Sequence, residues 1–360
     1  MLPSIVILQK GSQVRMVRRK RKSRKKKGSA WAAILLLMLG AVAGLAAVAA
    51  WLVVTPYGPE TETFVELAPG STAVRIGAQL EQAGIIRSQY AFDLLRFVLR
   101  GRLRAGEYRF THPVLVTEVY SRIVHGDVYT RPVTIPEGAS IFDIATRIEQ
   151  AGMASSSDFL DACRQTSLIA DLDPGAQSLE GYLFPDTYRF AHNTTPSQMV
   201  AAMVHRFRLA AAQIGLQHDF HRTVTLASLI ERETAVDADR PMVASVFTNR
   251  LAKQMPLATD PSVIYGLKRQ GRWQGIIYRS DLAYDTPYNT YLHAGLPPGP
   301  IASPGIRSLR AALTPATSNY LYFVAAGTNA QGHSLFASTL DEHNHNVAGY
   351  RRAMKKAGLR

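Results

Sequence analysis

The stretch from Ala30 to Val54, AWAAILLLMLGAVAGLAAVAAWLVV, contains no charged residue. As a helix rising about 1.5 Å per residue it reaches about 38 Å, enough to cross a hydrocarbon layer of roughly 30 Å with some tilt. It is too long for the apolar region of a cleavable signal, which runs about 7–15 residues. Trp31 and Trp51 stand near its two ends, where membrane interfaces favour them. A transmembrane helix over 30–54 therefore divides the chain, and whatever follows residue 55 folds as a separate problem.

The flank before this run is RRKRKSRKKK, Arg18 to Lys27. Residues 1–59 hold eleven Lys and Arg and no acid, out of a net charge of +14, so the remaining chain carries only +3. The basic character belongs to the tail and says little about what the folded part binds. By the positive-inside rule, residues 1–29 form a basic cytoplasmic tail, and the bulk of the chain lies beyond the inner (cytoplasmic) membrane, in the periplasm. A nucleic-acid-binding arm is the alternative reading of the block. A basic segment abutting a spanning helix is, however, the ordinary topogenic signal and also attracts anionic lipid, so no nucleic-acid partner is expected. Met16 offers a second possible start just ahead of it. Cys163 is the only cysteine, which leaves no intramolecular disulfide to hold the exported part together.

After the linker TPYGPETE (55–62), the alternating TFVELAP reads as a strand. STAVRIGAQLEQAGI reads as a helix capped by Ser71 or Thr72 and closed by Gly84. YAFDLLRFVLRG, GEYRF and VLVTEVYSRIVHG continue as helix, strand and amphipathic helix, completing a small α+β module over 60–127. A second unit over 128–175 runs strand, Pro136–Gly138 turn, helix capped by Ser140, and Gly152 stop. It resembles the strand-turn-helix opening of LysM peptidoglycan-binding modules; an unspecialised α+β module is the alternative. From 176 to 360 the pattern changes to an aromatic-rich SLEGYLFPDTYRF, with a turn at Pro185-Asp186, followed by helical segments including VTLASLIERETAV and PMVASVFTNRLAK, the latter with Pro241 at its first position. Residues 254–306 show little helical or strand periodicity, and a long irregular stretch rich in Tyr, Leu and Ile is expected to be functional rather than disordered. The predicted class is α+β: one N-terminal transmembrane helix, a small α/β module with a LysM-like unit, then a mixed α+β catalytic domain.

Chemistry is sparse in the usual places. The chain contains no HExxH, CxxC, phosphate-binding Gly-rich loop or GxSxG. His343 and His345 fit a solvated surface better than a metal site, and no metal or cofactor is expected. LASLIERETAV places two carboxylates in a core-forming helix. Leu226, Leu229, Ile230 and Glu233 recur at i, i+3, i+4 and i+7, which puts Glu233 on the apolar stripe, while Glu231 is about 200° away around the helix. Burial raises the pKa of such a carboxyl, the condition a general acid needs near neutral pH. The alternative is a structural pair between Glu233 and a buried Arg240 or Arg250.

Six segments in this order, EGYLFPDTY (180–188), LIERETAV (229–236), RPMVASVFTNRL (240–251), ATDPSVIYG (258–266), YNTYLHAGLPPGPIASPG (288–305) and YLYFVA (320–325), resemble the MltG/YceG family of membrane-anchored endolytic murein transglycosylases. The likeness spans about residues 60 to 350; the long basic N-terminus is its chief departure. It implies cleavage of the MurNAc-GlcNAc β-1,4 bond within peptidoglycan strands, 1,6-anhydro-MurNAc ends, and release of nascent strands beside peptidoglycan synthases. It implies that the second glutamate of the E-x-E-T segment, Glu233, is catalytic, with Thr234 where other lytic transglycosylases carry a serine. Around it, Tyr182, Phe184, Tyr265, Tyr288 and Tyr291 offer ring faces for sugars, although at least half of these aromatics are expected in the core, and Asp260, Asn289 and Thr290 offer polar partners. A non-catalytic membrane-anchored wall-binding scaffold is the alternative function.

Overall fold

The structure is a computed structural model, and it describes residues 27–327 and 332–358. The basic block up to Lys26 lies outside the described residues. Two compact units divide the chain, 1–128 and 129–360.

The first unit opens with α1 (Lys27–Val54). Its segment Trp31–Val54 has a mean hydropathy of 2.5 and is not buried by the rest of the protein, so it is long and apolar enough to cross a membrane. β1 (Thr63–Leu67) follows, then α2 (Ala73–Gln82), α3 (Gln89–Leu99), β2 (Gly106–Phe110) and α4 (Val116–His125). Alternation in TFVEL turns Val65 and Leu67 inward and Glu66 outward, and β1 pairs antiparallel with β2 from Thr63↔Phe110 to Leu67↔Gly106. Thr72 caps α2 by accepting from the Arg75 N–H. The sheet and the inner faces of the three helices enclose Leu67, Leu80, Phe92, Tyr108, Val119 and Ile123.

The second unit begins with β3 (Arg131–Thr134), α5 (Ile141–Gln150), α6 (Ser156–Ala162) and β4 (Thr187–Phe190). β3 and β4 pair antiparallel, Arg131↔Phe190 to Thr134↔Thr187, so the strand that completes the opening strand and helices lies well past the expected boundary at 175/176. One continuous core joins Val133, Ile144 and Phe159 to Met203, Leu229 and Leu309. The segment 128–175 is therefore not a self-contained unit: without β4 its strand would keep an open edge.

Helices α7 (Pro196–Gln213), α8 (Phe220–Glu233), α9 (Arg240–Ala252), α10 (Asp260–Arg269) and α11 (Ile306–Leu313) follow. The β5 (Tyr322–Ala325) and β6 (Ser334–Ala337) pair and α12 (Leu340–Lys356) close the chain. Most of 254–306 is irregular, as expected, but α10 lies inside it. Asp260-Pro261 is a good helix start, but the ten-residue helix is too short to give a clear period.

α8 is the central element. It packs on α9, α10 and α11, and every residue from Thr223 to Ile230 is buried. A helix buried all round has no single apolar stripe. Of the polar side chains within it, Ser228 donates to the Thr225 carbonyl and accepts from the Ile301 N–H at 3.0 Å, whereas the buried Thr225 hydroxyl has no hydrogen-bond partner among the described residues.

Candidate active site

The two glutamates of α8 have separate environments. Glu231 is buried, its side chain 5 % exposed, pairing with the Arg240 Nη2 at 3.0 Å and accepting the Gly305 N–H at 2.9 Å. Arg240 is itself buried and reaches Asp237 at 3.0 Å, with Glu137 at 3.8 Å. The structural carboxylate is thus Glu231, and the buried arginine that could have neutralised Glu233 is already taken.

Glu233 is the last residue of α8, where Thr234 turns extended (φ −140°, ψ 133°) and the helix leaves the core. It is half-buried and, among the described residues, makes no hydrogen bond or ion pair. Burial, then the nearby Asp260 carboxylate, push its pKa up to about 7, against the smaller opposing effects of Arg232 and Arg250. Its exposure comes from its position at the helix terminus. The all-round burial of α8 does not support an apolar stripe that would set Glu233 apart.

Arg250 does not pair with Glu233. Its guanidinium is spent on backbone carbonyls, Nε to Leu321 at 2.6 Å and Nη1 to Leu257 at 2.9 Å, and lies 5.3 Å from the Tyr322 ring centroid. It contributes positive potential near Glu233 from a fixed position. His343, expected at a solvated surface, stacks on the same Tyr322 ring with centroids 5.2 Å apart, and burial lowers its pKa.

Of the other expected site residues, the structure brings Asp260 and Tyr291 to Glu233. Asp260 opens α10, and the Tyr291 hydroxyl donates to its Oδ1 at 2.6 Å. The approach to α10 is held in a tight bend: Ala258 has φ +52°, a conformation non-glycine residues seldom adopt, and its N–H donates to the Thr290 carbonyl at 3.0 Å.

Asn289 and Thr290 are buried and already satisfied. Asn289 donates from Nδ2 to the Leu282 and Tyr284 carbonyls and accepts the Tyr291 N–H on Oδ1. Thr290 Oγ1 accepts from the Thr259 N–H and sits 2.8 Å from Ser262 Oγ. They fasten the 288–291 loop to α10 and so aim Tyr291 at Asp260. As direct partners for sugar hydroxyls they are corrected to positioning residues.

Tyr182 is enclosed in the core, its hydroxyl donating to Asp173 at 2.8 Å and its ring edge-on to Phe207; it presents no face to a sugar. Tyr265 and Tyr288 pack on each other with centroids 4.9 Å apart, both buried, with Tyr265 in the middle of α10. The Arg206 guanidinium covers Phe184 at 4.6 Å. These four aromatics belong to the buried core of the second unit. Sequence reading also passed over Glu180, fully buried, which accepts the Ile141 N–H at the start of α5 at 3.0 Å and whose pKa burial pushes up to about 8. Its signal was available: a carboxylate flanked by Leu179 and the buried GYLF.

Comparison with known proteins follows the same residues. A protein of Bacillus subtilis named endolytic murein transglycosylase is 32 % identical over 311 residues, 79 % of this chain and 84 % of that protein. A Streptococcus pneumoniae protein of the same name is 32 % identical over 320 residues, 79 % of this chain but only 57 % of its own length. The crystal structure of a YceG-like protein from Listeria monocytogenes superposes with a TM-score of 0.53 at 33 % identity, covering 80 % of this chain and 99 % of that one. The family-level match, described as YceG-like, runs from residue 65 to 349. It takes in parts of both units and every element that carries Glu233, Asp260 and Tyr291, and the chain belongs to the YceG-like family.

Proposed function

We propose that this chain is an endolytic peptidoglycan lytic transglycosylase in which Glu233 is the single acid and base. The observation that carries the reading is the contrast inside α8: Glu231 is neutralised by Arg240, whereas Glu233, without a partner among the described residues, is held near pKa 7 where the helix leaves the core. Relatives named as endolytic murein transglycosylases supply the reaction class.

A hydrolase acting on glycosides commonly uses two carboxylates, because a water or a covalent intermediate must be handled as well as the leaving group. Here the sugar supplies its own nucleophile. Protonated Glu233 donates to the glycosidic oxygen between MurNAc and GlcNAc as the C1–O bond breaks. The resulting carboxylate accepts the proton of the MurNAc 6-hydroxyl as O6 bonds to C1, closing the 1,6-anhydro ring and restoring the acid. A group with pKa near ambient pH serves both half-steps. The Asp260 carboxylate favours the protonated form beforehand and offsets positive charge developing at C1. The Tyr291 ring, 36 % exposed, is the aromatic face available to a sugar beside them.

The β3-α5-α6-β4 order, with its antiparallel strand pair, supports a LysM-like glycan-holding role for that part of the second unit. The α1 helix and the basic block before it support anchoring in the cytoplasmic membrane with the N-terminus inside and the rest of the chain toward the wall. Proximity to peptidoglycan synthases follows from the family role of releasing nascent strands.

The test is product chemistry. Full-length protein in detergent, incubated with purified sacculi, is expected to release muropeptides carrying 1,6-anhydro-MurNAc, identified by mass and by resistance to borohydride reduction. Reducing MurNAc ends instead would make it a hydrolase, and absence of any new ends would leave a wall-binding scaffold.

A further inference from the structure

The first unit leaves one helix face uncovered. α3 buries Ala91 and Phe92, with Leu95 packed against the same core. On its other side Tyr90, Leu94, Phe97 and Val98 are 76, 49, 72 and 66 % exposed. Their spacing, i, i+4, i+7 and i+8, gathers them on one side of the helix, where a water-facing helix carries polar residues. Two aromatics and two aliphatics in one stripe form a patch of the kind that marks an interaction site. Arg96, Arg100, Arg102 and Arg104 follow within a few residues, with no acid between Arg96 and Arg104, and none of the four is in an ion pair among the described residues.

The surroundings of α3 say what covers this face. α1 packs against α3 and α4 within the same unit, and Val53 joins its core. Arg87, two residues ahead of α3, lies 4.0 Å from the ring centroid of Trp51 in the last turn of α1 and 5.0 Å from that of Tyr57. Trp51 is the aromatic that marks the end of the apolar run, so α3 starts level with the edge of the bilayer that α1 would cross. A second copy seated on the patch would bring its own arginines onto this cluster, which like-charge repulsion disfavours.

We propose that α3 lies in the membrane interface where α1 emerges. Tyr90, Leu94, Phe97 and Val98 enter the acyl-chain boundary, and the arginines bind anionic headgroup phosphates. This rests on α1 crossing the bilayer, and it turns a single-helix tether into a two-point attachment of the first unit.

The test uses the full-length chain in vesicles of zwitterionic lipid with phosphatidylglycerol. Environment-sensitive fluorophores go on Leu94→Cys and Phe97→Cys, with Val42→Cys in α1 and Glu81→Cys on exposed α2 as references. The native Cys163 is buried with its thiol pKa pushed up, so it stays unlabelled. Positions 94 and 97 are expected to behave like 42, quenched several-fold more by acyl-chain nitroxide than by aqueous cobalt, with 81 the reverse. Removing the anionic lipid should shift 94 and 97 toward the aqueous quencher and leave 42 unchanged. If 42 is embedded while 94 and 97 meet cobalt, the proposal is wrong and the anchor stands. Shielding of 94 and 97 from both quenchers would mean a protein partner or second copy, overturning it as well. Exposure of 42 to cobalt would remove the anchor and the proposal together.

Discussion

Glu231 and Arg240 form a buried ion pair, 3.0 Å apart, and Glu231 stands only two residues before Glu233 on another face of α8. Removing one partner of a buried pair leaves an uncompensated charge at about 3–5 kcal/mol. Asp237 remains beside Arg240 at 3.0 Å, so Glu231→Ala is expected at the low end of that range. At roughly 2–4 °C per kcal/mol for a domain of this size, Tm should fall by about 6–12 °C. Glu233→Gln should leave Tm unchanged or raise it, since it removes a carboxyl that burial disfavours. Equal melting losses for the two variants would contradict the division of roles.

The pH profile should carry the signature of Glu233. With its pKa near 7, the acid form is lost as pH rises, so kcat/KM for anhydro-end formation should decline above about pH 7. Asp260 raises that pKa, so Asp260→Asn should move the alkaline limb to lower pH. A limb that stays in place in the variant would remove Asp260 from the electrostatics of the site.

Tyr291 acts on Asp260 through one hydroxyl, at 2.6 Å. Tyr291→Phe keeps the ring and deletes this bond, and a loss of about 1 kcal/mol corresponds to roughly fivefold in kcat/KM. Steady-state kinetics on a defined glycan should place that loss in kcat with KM nearly unchanged, whereas Tyr291→Ala should raise KM as well. A raised KM in Tyr291→Phe would indicate that the hydroxyl binds substrate directly.

Glu180 should make stability depend on alkaline pH. Its folded pKa of about 8 lies above the ordinary carboxyl value, so the folded protein holds a proton the unfolded chain has released. Its contribution is fully present below about pH 4.5 and is lost as pH rises through 8. Glu180→Gln, which retains an acceptor for the Ile141 N–H, should flatten the decline of Tm between about pH 5 and 8. An unchanged slope would mean that another group carries it.

Much of this architecture is legible in the residues. The long apolar helix α1 follows from an unbroken apolar run, and the strand and helices of the first unit follow from alternation, Thr72 and the terminating glycines. Glu233 was legible as a carboxyl in an apolar helix. Its distinction from Glu231 depended on Arg240, whose approach from α9 is a tertiary fact with no local pattern. The aromatics were harder for the same reason. Tyr182 and Tyr291 look equivalent as residues, yet one is enclosed beside Phe207 and the other stands at the edge of the site. Asn289 and Thr290 read as polar groups free to bind sugar, but the backbone groups they satisfy belong to a loop conformation that local sequence does not encode. α10 was hidden by its brevity, and the 128–175 unit was cut short because its closing strand lies beyond an intervening 3-10 turn and loop.

The role of Glu233 is tested most directly by the rate at which Glu233→Gln forms 1,6-anhydro-MurNAc ends from sacculi, measured on full-length protein of parental Tm. The amide keeps the shape and has no proton to deliver, so the rate should fall by at least about 10²-fold, while Glu233→Gln still sediments with the wall. A variant that forms anhydro ends within about tenfold of the parent would contradict Glu233 as the acid and base of this protein.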